Sequence, residues 1–141
     1  MQRAAGLPIE KESVQMIDFN NKSIIKMQMV DNNSFHPMLA PILLGNEQII
    51  SSYRSMRDGV VFTNFRIIAI NVQGVTGKKK DFTSIPYSKI QVFSVETSGT
   101  FDLDSELQIW ISGVGRVSFE FTGNADVSGI CRMISAYVFQ K

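Results

Sequence analysis

The chain has 141 residues, 44% of them hydrophobic and 19% charged, which suits one folded domain with its own core rather than a disordered segment. Fourteen basic and thirteen acidic side chains leave a formal charge of +1, so no global field draws the protein to nucleic acid, and attraction to an anionic membrane would need a local patch. A single cysteine, Cys131, rules out an internal disulfide, and the charged start (Glu10, Lys11, Glu12, Asp18) has no signal-peptide apolar run; a reducing, cytoplasmic setting is the expectation.

Residues 1–12 show no period and read as a loose arm. Ser13–Val30 mixes helical and alternating spacing around Asn20–Asn21, consistent with a short helix followed by a short strand. Residues 1–33 are therefore read as an N-terminal appendage of uncertain structure, and 34–141 as the domain proper. Ser34 suits an N-cap for a helix to Leu44 that Gly45 stops, with Phe35, Met38, Leu39, Ile42 and Leu43 on one face. Pro41 lies deep enough to kink it.

The period then changes to two. Strands are predicted over Glu47–Met56, Gly59–Thr63, Phe65–Val72, Lys79–Ile85, Gln91–Thr97, Glu106–Ser112 and Arg116–Phe121. Arg57-Asp58-Gly59 marks the first turn, and Pro86, which lacks an amide donor, belongs at an edge or corner. Asn124 suits the N-cap of a last helix, with Asp126 in its first turn. That helix places Val127, Ile130, Cys131, Ile134, Tyr137 and Val138 on one stripe. Seven short strands and one amphipathic helix indicate an all-β sandwich or barrel with its mouth covered by the helix.

The segments TGKK, SIPY, FSVET, FDLDSEL and WISG, spaced along GVTGKKKDFTSIPYSKIQVFSVETSGTFDLDSELQIWISG, together with the preceding VVFTNFRIIAINVQ, resemble the bacterial pleckstrin-homology-like (PH-like) domain family over about residues 34–140. The resemblance implies a PH-like barrel of seven antiparallel strands in two near-orthogonal sheets, capped by a C-terminal helix. It also implies a ring-forming homo-oligomer with no enzymatic activity.

The chemistry-bearing residues point the same way. Asp102, Asp104 and Glu106 alternate, so they share one side of an extended segment. They lack the ligand count of a calcium loop; the alternatives are pairing with Arg54, Arg57 or Lys78–Lys80 of a neighbouring strand or subunit, and surface solvation without any partner. Trp110 opposes the Leu107/Ile109/Ile111 face, so it lies either at an interface or inside a strand that curls enough to bury both faces. Lys78, Lys79 and Lys80, beside Gly74 and Gly77, form either a phosphate or anionic-lipid site or a solvated turn that protects an edge strand. His36 and Cys131 have no visible partners for catalysis, and no metal, nucleotide or redox motif is present, so no cofactor is expected. The expected function is a self-assembling, protein-binding scaffold; the alternative is a module that binds an anionic headgroup or phosphorylated ligand through Lys78–Lys80.

Overall fold

In the computed structural model the described residues are 26–97, 104–122 and 125–139; the expected loose arm, the helix before residue 26, Phe101–Leu103 and the Asn124 cap lie outside them. Eight strands form: β1 (Lys26–Val30), β2 (Ile49–Ser55), β3 (Asp58–Thr63), β4 (Arg66–Gln73), β5 (Lys79–Pro86), β6 (Ile90–Thr97), β7 (Ser105–Ile111) and β8 (Gly115–Phe121). A short helix α1 (His36–Leu39) precedes β2, and α2 (Val127–Phe139) ends the described chain. All seven alternating runs are strands, with ends shifted by one or two residues. The alternation is legible where a strand buries one face, as β7 and β8 do; β3 and β4 are buried on both faces and read as continuous apolar runs.

The strand order is β5-β4-β3-β2-β1-β8-β7-β6, a single ladder left open between β5 and β6. The fold is the expected PH-like one, but two details differ. Among the described residues the strands number eight, and they are not all antiparallel. β1 pairs antiparallel with β2 from Gln28 to Val30, and parallel with β8 at Lys26 and Met27. It thereby joins two sheets that would otherwise meet only through packing. The N-terminal side of the expected boundary at residue 33 thus contributes a strand hydrogen-bonded to both halves.

The main core lies between the halves, where Met27, Tyr53, Phe62, Ile67, Ile109 and Phe121 meet Ile130 and Ile134 of α2. α2 closes the mouth along the open seam: Tyr137 stacks on Tyr87, which lies in the short turn linking β5 to β6, at 4.7 Å. Asp126 caps this helix, its Oδ1 accepting from the Gly129 amide at 3.0 Å.

The other face of β3 and β4 is covered by the segment before β2. Phe35 and Leu39, both fully buried, pack on Val61, Ile68 and Ile70. This segment is not the continuous helix expected from Ser34. It breaks into a 3-10 turn at Asn32–Ser34, α1, and a second 3-10 turn at Ala40–Ile42. Pro37 and Pro41 remove amide donors that a longer helix needs. Asp31 rather than Ser34 supplies the cap, accepting from the Asn33 amide.

Candidate functional site

Two turns meet at one end of the β2–β5 half. Met56, in the β2–β3 turn, has a left-handed backbone (φ 53) and is 90% exposed. A non-glycine residue there costs on the order of 1 kcal/mol, and burial returns nothing. The neighbouring Arg57 donates through Nη1 to the Gly74 carbonyl at 2.7 Å. Asp58 accepts from the Val72 amide at 2.9 Å, so the two turns are tied together. Gly74 and Gly77 take the positive φ values the β4–β5 turn requires, and between them Val75 is fully exposed. Lys78, Lys79 and Lys80 follow, all exposed. The tip is thus two apolar side chains among four cations, of which Arg57 is held in place by a hydrogen bond. Such a surface can seat an anion and an apolar contact together.

At the other half, the outer face of β6–β8 is a set of aligned rows. Val92, Trp110 and Arg116 are direct cross-strand neighbours; so are Ser94, Gln108 and Ser118; so are Glu96, Glu106 and Glu120, with Lys26 of β1 beside Glu120. Three like charges opposite one another on adjacent strands repel. Val92 is 56% exposed and Trp110 half-buried, so β7 does not curl enough to enclose its tryptophan. Among the described residues no three or more acidic, histidine or cysteine side chains converge to hold a metal ion.

The acidic residues do not behave as one group. Asp102 lies outside the described residues. Asp104 forms an ion pair with Lys26 of its own chain, and this hydrogen bond raises the lysine's pKa. Arg54 also turns inward, its guanidinium 4.6 Å from the centre of the Phe35 ring. Arg57 and Lys78–Lys80 are brought together, while the acidic row stands on the opposite half. The alternation that grouped Asp104 with Glu106 ignored the strand that starts at Lys26.

One polar cluster was not legible in the sequence. Glu47, 7% exposed, accepts from Arg66 Nε at 2.8 Å and Nη2 at 2.7 Å, from Thr63 Oγ1 at 2.7 Å and from the Leu44 amide at 3.0 Å. Arg66 also donates to the Ile42 carbonyl and to Ser84. These bonds, led by that from Arg66, hold the Glu47 carboxyl down to about 2 against its burial. Every partner is internal, which makes the cluster a clamp between the α1 segment and β3–β5. His36 is exposed on α1 and Cys131 half-buried on α2.

A sequence model described as Bacterial PH domain matches residues 18–138. The chain is 48% identical to the uncharacterized protein YjqA of Bacillus subtilis over 100 residues, covering 70% of this chain and 80% of that protein. A crystal structure of a DUF1696 family protein with a pleckstrin-homology domain, from Shewanella loihica, is 44% identical with a TM-score of 0.69, over 79% of this chain and 97% of that one. A pleckstrin homology domain from Shewanella amazonensis is 46% identical with a TM-score of 0.59, over 78% and 90%.

Proposed function

Because the chain belongs to the bacterial PH domain family, we propose that it works without chemistry of its own, as an interaction module that self-assembles into a closed homo-oligomer and presents a protein-binding scaffold. The observation that carries this reading is the complementarity of two surfaces on one chain. The outer face of β6–β8 carries the row Glu96, Glu106 and Glu120 and, two rows along the same face, Val92 and Trp110 in line with Arg116. The far tip carries Met56 and Val75 beside Arg57 and Lys78–Lys80. Acidic and basic patches that each include exposed apolar side chains favour a head-to-tail contact, which closes into a ring when the rotation allows. Among the described residues β6, eight residues long, is paired on one side only, and a covered edge is protected from random pairing.

The test is native mass spectrometry of the intact chain and of Glu106→Lys combined with Trp110→Ala. A fixed multiple of 15.8 kDa that falls to the monomer in the variant is the expected result. A wild-type monomer overturns the reading.

A second reading rests on the tip alone: Lys78–Lys80 and Arg57 attract an anionic headgroup or phosphorylated ligand while Met56 and Val75 enter the apolar layer beneath. Sedimentation with phosphatidylserine vesicles separates the two. Binding by a monomeric protein that is lost when the three lysines become glutamine favours this reading over assembly.

A further inference from the structure

The chain has seven methionines, and the five among the described residues stand in unlike settings. Met27 is buried in the main core, and Met133 packs half-buried against it. Met38 of α1 packs half-buried against the cluster around Phe35. Met29 of β1 is 38% exposed, and Met56 is 90% exposed. Oxidation of a side-chain sulfur follows its access to solvent, so Met56 is the methionine of this set that reacts first.

Met56 is also set apart by its backbone: among the described residues it is the only non-glycine with positive φ. Its side chain buries nothing there, so a change in its chemistry leaves the core untouched. The turn that carries it is fastened on both sides. Asp58 accepts from the Val72 amide at 2.9 Å, and Arg57 donates to the Gly74 carbonyl at 2.7 Å. The Arg57 guanidinium also lies 3.5 Å from where a Cβ on Gly77 would stand. Met56 is therefore held next to Arg57 and one turn away from Lys78–Lys80. An oxygen added to its sulfur carries partial negative charge and accepts hydrogen bonds, which the four neighbouring cations favour. The same oxygen makes polar one of the two apolar side chains of the tip.

We propose that Met56 is a reversible oxidation site that switches off the docking of the tip on a second copy of the chain. The co-reactant is hydrogen peroxide. A sulfur lone pair attacks one peroxide oxygen and the O–O bond breaks. That oxygen stays on the sulfur, and the other leaves with both hydrogens as water. The sulfur is oxidised by two electrons and the peroxide reduced by two. The switch rests on the assembly reading given above; the site itself does not. In the assembled state Met56 is covered, so oxidation acts on free chains and keeps them free.

The experiment treats the dilute full chain with hydrogen peroxide, follows each methionine by peptide mass mapping, and then records the native mass after concentration. Sulfoxide is expected at Met56 at least about tenfold faster than at Met27. The melting temperature stays unchanged when Met56 alone is oxidised, while the oligomer falls to the monomer. Methionine sulfoxide reductases A and B with dithiothreitol restore it. Met56→Leu keeps an apolar side chain without a thioether, so its oligomer survives the same treatment. Oxidation at Met56 no faster than at Met27 overturns the site. An oligomer that persists once Met56 is oxidised, or a Met56→Leu oligomer that is lost equally, overturns the switch and leaves the assembly reading standing. An untreated monomer overturns that reading and the switch with it, while the order of oxidation still tests the site. A monomer whose binding to phosphatidylserine vesicles is lost on oxidation would give the switch to a lipid surface, and also overturn it as a control of assembly.

Discussion

The ring of Phe35 lies directly on the Cα of Gly59, so closely that a Cβ at position 59 would overlap the ring. Gly59 is buried mid-face in β3, and the absence of a side chain is what lets the α1 segment seat on the sheet. Gly59→Ala is expected to displace a fully buried Phe35 and lower stability by about 2–3 kcal/mol. Urea denaturation checks this. Phe35→Ala combined with Gly59→Ala should cost clearly less than the sum of the two single changes.

The Glu47–Arg66 clamp makes a pH prediction. The folded carboxyl titrates at about 2 against an ordinary 4.5, so folding favours the ionised form. Its contribution is complete above about 4.5 and is lost as pH falls through the window towards 2. The stability gap between the wild type and Glu47→Gln should therefore be widest near neutral pH and narrow by pH 3. A constant gap would mean that the carboxylate's charge contributes nothing.

Met56 sits in a backbone conformation that glycine adopts without strain, and its side chain buries nothing. Met56→Gly is expected to leave the fold intact and change stability by only about 0–1 kcal/mol, towards greater stability. Under the assembly reading it also weakens the oligomer, measured by light scattering across a dilution series. A more stable protein with an unchanged mass would remove Met56 from the interface.

Lys26 of β1 makes an ion pair with Asp104 and stands beside Glu120. Lys26→Glu should weaken the start of β1, and hydrogen exchange at Met27 and Thr122 should quicken. Exchange unchanged at both amides would mean that the pairing of β1 with β8 rests on the backbone alone. Because the pair is exposed, the change in global stability is expected to be small.

The strands were legible as seven short β-branched and aromatic runs bounded by turn residues, alternating in β7 and β8 and continuously apolar in β3 and β4, which are buried on both faces. The α2 stripe was legible as one apolar face at helical spacing. β1 is the short strand expected at the end of Ser13–Val30, but its place between β2 and β8 was not legible, because its neighbours in space are distant in sequence. The lysine turn was legible as a basic run, but Met56 is brought to it by the bonds of Arg57 to the Gly74 carbonyl and of the Val72 amide to Asp58. The acidic stripe was legible as spacing, yet spacing along one strand says nothing of Glu96 and Glu120, which the sheet sets on either side of Glu106. Glu47, Arg66 and Tyr53 carry no sequence signal, because their roles depend on partners well removed along the chain.

The position of β1 between β2 and β8 has a consequence for how the molecule comes together. The hairpins of β2 through β5 pair neighbours in sequence and can form as soon as they leave the ribosome. β1 cannot be completed then, because its second partner, Glu120–Phe121, is among the last strand residues made. Closing so long a loop is slow. A nascent chain must therefore carry β1 with one side bare through most of synthesis, and the two halves become a single unit only when the last strand arrives.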